Sequence, residues 1–165
     1  MKSLEHPDSL HLRAAQGWLE LGDYLEADEE LERISPPLRV HPDVLLLRYE
    51  VYAKAEKWEG AFCLTSALVD IVPHEPYGWI NQSFALRKMP SRGPKAAWDA
   101  LLPVAVNFPD NPIIPYKLAC YACQLGQLKD ARAWLSLSFL LYNELKPMAL
   151  DEPDLEPLWL EIGKM

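Results

Sequence analysis

The feature that most restricts this chain is a short segment that returns at intervals of about 34 residues. Leu21-Gly22-Asp23-Tyr24-Leu25-Glu26-Ala27 comes back, nearly copied, as Leu125-Gly126-Gln127-Leu128-Lys129-Asp130-Ala131. Between them lie Glu56-Lys57-Trp58-Glu59-Gly60-Ala61 and Arg92-Gly93-Pro94-Lys95-Ala96-Ala97. Each copy has a turn-forming stretch, a large or ring-bearing residue, two further residues and then Ala. The alanines Ala27, Ala61, Ala97 and Ala131 are separated by 34, 36 and 34 positions. Pro73 follows Ala61, and Pro109 follows Ala97, by the same interval of 12. A fixed period of this length belongs to supersecondary units that cannot bury their apolar faces alone and so stack on one another.

Each period reads as two helices. The first is expected over Ser9–Leu21, Asp43–Ala55, Tyr77–Arg87 and Ile113–Leu125; the second over Tyr24–Ile34, Trp58–Val72, Lys95–Phe108 and Leu128–Leu145. Apolar residues recur at helical spacing, as in Trp98, Leu101, Leu102, Ala105 and Phe108. Pro103 falls inside one of these segments and is expected to bend or shorten it. Sustained strand alternation is scarce, so the expected class is all-α.

On these residues the chain resembles the tetratricopeptide repeat family, whose 34-residue helix–turn–helix unit carries a large residue at unit position 4, small residues at 8 and 20, and Pro at 32. Trp79 falls at position 4 of the third unit. Ala15, Ser83 and Ala119 fall at position 8, the four recurring alanines at position 20, and Pro73 and Pro109 at position 32. Some residues depart from the pattern. Tyr49 takes the small position 8 of the second unit, Arg48 and Gln82 take the usually apolar position 7, and the third unit has a longer turn around Met89-Pro90-Ser91-Arg92. The resemblance implies an α-α superhelix, a right-handed solenoid of antiparallel helix pairs. It would form one domain, with repeats at about 8–42, 43–75, 76–111 and 112–146 and a capping helix at about 153–163. Trp159 and Ile162 of that cap are expected to lie on the apolar surface of Leu128–Leu145.

Composition narrows the partners. Sixteen basic residues face twenty-four acidic ones, for a net charge of −8, and no basic cluster exceeds two or three residues. A phosphate-backbone binder needs a cationic stripe, so neither nucleic acid nor an anionic membrane surface is an expected partner. The three cysteines make no disulfide framework, and a cytoplasmic setting is the simplest expectation.

Candidate chemistry is thin. Cys120-Tyr121-Ala122-Cys123 has zinc or redox spacing, but no second ligand pair accompanies it and it lies inside an expected helix. It reads as two small packing residues. His41 and His74 sit at unit boundaries, and His6 and His11 make no metal spacing, so the histidines read as loop residues. No nucleophile elbow or glycine-rich phosphate loop appears. No metal, cofactor or catalytic set is expected. The acidic run Glu26, Asp28, Glu29, Glu30 and Glu32 reads as a solvated outer face.

The resemblance also implies a concave groove lined by the first helices. At the corresponding positions stand Leu12, Gln16, Leu46, Glu50, Tyr77, Ile80, Phe84, Arg87, Tyr116, Cys120 and Cys123, with Arg13, Lys54 and Lys117 at its edges. Some members clamp a C-terminal carboxylate with Lys and Asn in the first unit. Leu12 and Gln16 occupy those positions here, which argues against that ligand. The leading expectation is a scaffold that holds a protein or peptide segment in this groove. The alternatives are a small acidic secretion-type chaperone shielding an apolar client, and a module that pairs two copies of itself into a homodimer.

Overall fold

In the computed structural model, which describes residues 4–164, every regular element among those residues is helical. The helices are α1 (Asp8–Glu20), α2 (Tyr24–Glu32), α3 (Pro42–Lys54), α4 (Trp58–Ile71), α5 (Pro76–Lys88), α6 (Gly93–Leu101), α7 (Ile113–Gln124), α8 (Leu128–Leu141), α9 (Leu145–Asp151) and α10 (Trp159–Ile162). Short 3-10 turns occupy Pro36–Leu38, Leu102–Asn107 and Pro153–Leu158. The chain divides into two compact units, Met1–Ala85 and Leu86–Met165, and the division falls within α5.

In three of the four repeats the turn has one backbone solution. Gly22 and Gly126 take φ of 85° and 73°, and Glu56 takes 55° at the equivalent place. In each case the next residue's N–H reaches back over the helix end: Asp23 to Trp18 O at 2.9 Å, Lys57 to Tyr52 O at 2.9 Å and Gln127 to Ala122 O at 2.8 Å. This left-handed residue with its long return bond satisfies the last carbonyls of the first helix. A connection this short brings the second helix back antiparallel to the first. Asp23 then caps α2 by accepting from Glu26 N at 3.1 Å. His41 caps α3 ahead of Pro42, and Asn111 accepts from Ile113 N and Ile114 N at the start of α7.

Within the first unit, α1 pairs with α2 and α3 with α4. Ala15 and Ala27 are both sealed from solvent in one core with Leu31, Ile34, Val44, Leu47 and Val51. Tyr49, Ala61 and Ala85 share another, and the large Tyr49 is accommodated although a small residue is usual there. Gly60 helps: a Cβ on it would lie 2.6 Å from the Tyr52 ring, so only glycine lets α3 and α4 close at that level. The two polar residues at unit position 7 are also explained. Arg48 Nη1 meets Glu32 Oε1 at 2.8 Å, and Gln82 Nε2 donates to Ser66 Oγ at 3.0 Å. Each reaches sixteen residues back to the second helix of the preceding repeat, so both are polar rungs between neighbours.

In the second unit, α7 packs along α8 and against α6, with Ala97, Ala119 and Ala131 fully buried. Pro103 ends α6 at Leu101, and the chain continues as the 3-10 turn Leu102–Asn107. The last second helix stops at Leu141, short of the expected Leu145; a separate α9 begins there with Pro147 in its first turn. The expected single capping helix is also two pieces, a 3-10 turn followed by α10, because Pro157 interrupts the ladder.

Two substitutions test this account by urea unfolding. Ala61→Leu puts three heavy atoms into a site with no solvent exposure and is expected to cost about 1–3 kcal/mol. Glu56→Gly relieves a left-handed non-glycine residue in a turn that elsewhere uses glycine, and is expected to stabilise by about 0.5–1 kcal/mol.

Candidate functional site

The first helices carry two quite different faces, one in each unit. In the first unit, Leu12 and Gln16 of α1 and Asp43, Leu46, Leu47 and Glu50 of α3 enclose an open cleft of about 350 Å³. Four of these, Leu12, Gln16, Leu46 and Glu50, are groove positions marked in the sequence. The period of the helix explains their convergence, because residues four apart stack along one face. Leu12 and Leu46 form apolar walls that also lean on the buried cores beneath them. Gln16 donates to Glu20 Oε1 at 3.2 Å, which adds a further carboxylate one turn along α1.

Burial raises the pKa of Glu50 above the usual carboxylate value, and Lys54 one turn on partly offsets it. Tyr77 is half-buried against Leu45, Leu68 and Val72. Its hydroxyl pKa is raised first by burial, then by the charges of Glu75 and Asp43, so it lies within the field of the cleft's acidic rim. Ile80 is half-buried, and Phe84 meets the Trp58 ring edge-on with centroids 5.8 Å apart. Trp79, the large residue of its unit, donates its indole N–H to Pro73 O at 3.0 Å, tying two of the recurring positions together.

In the second unit the corresponding face is closed. Nine of the twelve residues of α7 are buried, including Tyr116, Cys120 and Cys123. The 3-10 turn Pro153–Leu158 lies across this helix and buries Leu155 and Leu158 completely. The tail thus seals the inner helix α7 more than α8, the surface expected from sequence. Ile162 is buried where α10 packs on α9 and the 3-10 turn rather than on α8, and Trp159 donates to Ala149 O of α9 at 3.1 Å. Tyr116 and Cys120, expected to line an open groove, are interior residues. Arg87 is tied down as well: its guanidinium pairs with Asp154 and donates to Gln124 Oε1 at 2.9 Å, while Gln124 donates to Asp154 Oδ1 at 2.8 Å. Arg132 adds a two-pronged contact to Glu161, at 2.5 and 2.8 Å. Lys117 has its ammonium 5.9 Å from the Tyr116 ring centre.

Cys120, Glu152 and Asp154 bring one sulfur and two carboxylate oxygens within 4.8 Å of one another. The positive charges of Arg87 and Lys117 act on the same thiol, and Asp154 already accepts from Arg87 and Gln124. The group is therefore a charge-compensated network, with much of its ligand capacity spent. Burial drives the Cys120 thiol far above its normal pKa, and it pushes Cys123 up to about 11, assisted by Asp154. Both suit the packing role read from the sequence rather than a reactive pair.

Two expectations about charged residues need correction. His11 lies within α1 and meets Glu30 Oε2 at 2.8 Å, so it is no loop residue. The acidic run is only partly a solvated face. Glu30 also pairs with Arg33, and Glu32 holds both Arg39 and Arg48, whereas Glu26 and Glu29 are exposed. Asp8, which no motif marks, is buried and accepts from Ser35 N at 2.6 Å and Ser35 Oγ at 3.1 Å, pinning the start of α1 to the end of the first repeat.

The chain matches no family model and no curated protein sequence. Among solved structures it is similar to a thermophilic TPR protein of Thermus thermophilus, with a TM-score of 0.72 and 20% identity, over 95% of this chain and 84% of that one. The fold is therefore that of a tetratricopeptide repeat protein. No helix is long and apolar enough among the described residues to cross a membrane.

Thiol accessibility tests the sealed face. Cys63 is exposed, while Cys120 and Cys123 are buried. In the native chain one thiol is expected to react rapidly with an aromatic disulfide reagent and two slowly. Truncation after Asp151 is expected to make all three rapid and to lower the melting temperature. Two slow thiols in the truncated chain would show that the tail does not protect them.

Proposed function

We propose that this protein is an interaction scaffold that holds a segment of another protein in the α1/α3 cleft of its first unit. The observation that carries the reading is the convergence of Leu12, Gln16, Leu46 and Glu50 on one open cleft. A site with apolar walls and a few polar groups at its edge can seat one or two side chains of a linear segment and fix their direction. The similarity to a TPR protein supports an interaction role for the fold, and the chemistry of the cleft suits holding a ligand better than transforming one. It offers carboxylates, an amide and aliphatic side chains, with no nucleophile–base pair among its lining residues. Three free thiols suit a reducing compartment, and we place the protein in the cytoplasm on that ground.

The test is selection of short linear peptides on the immobilised protein, followed by binding in solution to two variants. Leu12→Ser with Leu46→Ser removes the apolar walls. Gln16→Trp fills the cleft from an exposed position without entering the core. Selected peptides are expected to lose about tenfold or more in affinity for both, since anchors at the centre of a contact carry most of its energy. Unchanged binding to both, with helical content retained by circular dichroism, would remove the cleft as the site.

A further inference from the structure

We infer that the segment taken by this cleft is basic and amphipathic, with aliphatic side chains between Leu12 and Leu46 and lysine or arginine heads against Asp43 and Glu50. This rests on the cleft being the binding site, and it specifies which chemistry that site selects.

The lining itself is one-sided in charge. Two of its six side chains are acidic, one is an amide, three are leucines and none is basic. Glu20 stands one turn from Gln16, and Glu75 and Asp43 both act on the Tyr77 hydroxyl, so the acidic field extends past the cleft along α1 and toward α5. The nearby positive charge is limited. His41 lies 3.6 Å from Asp43, Lys54 acts on Glu50 from its own helix, and exposed Arg13 turns its Nε to Ser9 O at 3.4 Å. Glu50 lines the cleft from a solvent-exposed position, where partial burial holds its pKa above the usual carboxylate value and a cation supplied by a ligand would favour its charged form. Lysine and arginine have aliphatic stems that cover apolar surface while the charged head stays at its edge, which is the pattern this cleft presents. The chain's net charge of −8 would draw such a segment in and repel an acidic one.

The contrast between the units makes the assignment local. The equivalent face of the second unit is covered by the chain's own tail, whose Asp154 is held by Arg87 and whose Leu155 and Leu158 are fully buried. There an acidic, leucine-bearing segment sits beside a basic side chain. In the first unit the charged side chains that line the cleft, Asp43 and Glu50, are acidic, so the complementary segment carries the opposite sign.

Three synthetic peptides of one length distinguish the possibilities by fluorescence polarisation: leucine with lysine, leucine with glutamate, and leucine with glutamine. The native chain is expected to prefer the lysine peptide by about tenfold or more over the glutamate peptide, with the difference shrinking as salt is raised. Asp43→Asn with Glu50→Gln is expected to remove most of that preference, and Glu50→Lys to weaken the lysine peptide further. Glu29→Gln with Glu59→Gln, exposed and outside the cleft, is expected to leave it unchanged. Equal loss in this control pair would reduce the effect to overall charge and overturn the inference. If all three peptides bind alike and all are lost with Leu12→Ser and Leu46→Ser, the cleft stands as the site and its basic selectivity falls. If the lysine peptide binds those leucine variants and Gln16→Trp as well as the native chain, both readings fall.

Discussion

Everything in this fold depends on how closely two helices of a hairpin can approach. Ala27, Ala61, Ala97 and Ala131 have no solvent exposure, and Ala15, Ser83 and Ala119 are equally sealed on the first helices. Side chains of one carbon, or one carbon and a hydroxyl, let backbones close, and the neighbouring large residues then interlock above and below the contact. Where the small residue is missing, at Tyr49, the deficit is met nearby by Gly60, whose absent Cβ admits the Tyr52 ring. The requirement is thus for space at a given level of the hairpin, and more than one arrangement of residues supplies it.

Much of the architecture was legible because this requirement repeats. The period locates the hairpins, the Gly22 and Gly126 turns mark their corners, and Pro103 breaks its helix where its ring must. For the first unit the resemblance names Leu12, Gln16, Leu46 and Glu50 as groove positions, and the structure brings these four to one cleft. Arg48 and Gln82 looked like faults in the pattern because a repeat consensus describes one unit at a time. Their partners, Glu32 and Ser66, lie in the preceding repeat, where a single-repeat template does not look.

The second unit was less legible. The tail reads from sequence as an amphipathic cap, but amphipathicity says only that it needs a surface and leaves open which one. The deciding signal lies in α7: from Ile113 to Cys123 its one charged residue is Lys117. A helix apolar around its whole circumference must be covered on every side. Neighbouring helices cover part of it, and the tail covers the rest. Tyr116 and Cys120 became interior residues for that reason, and Arg87 became a tether. The break after Leu141 was hidden because Tyr142-Asn143-Glu144 carries no strong helix breaker, while Pro147 lies where a new helix can accept it in its first turn.

The Arg87–Gln124–Asp154 triangle joins three residues that are remote in sequence, and its two charged members are largely withdrawn from water. Losing either charge alone strands the other, and that is far more costly than losing both together. Descendants of this chain would therefore tend to keep or replace the ion pair as a set, in step with the closure of α7. Changes around the open cleft face no such joint constraint. The joint constraint is therefore local to the half of the molecule that its own tail closes.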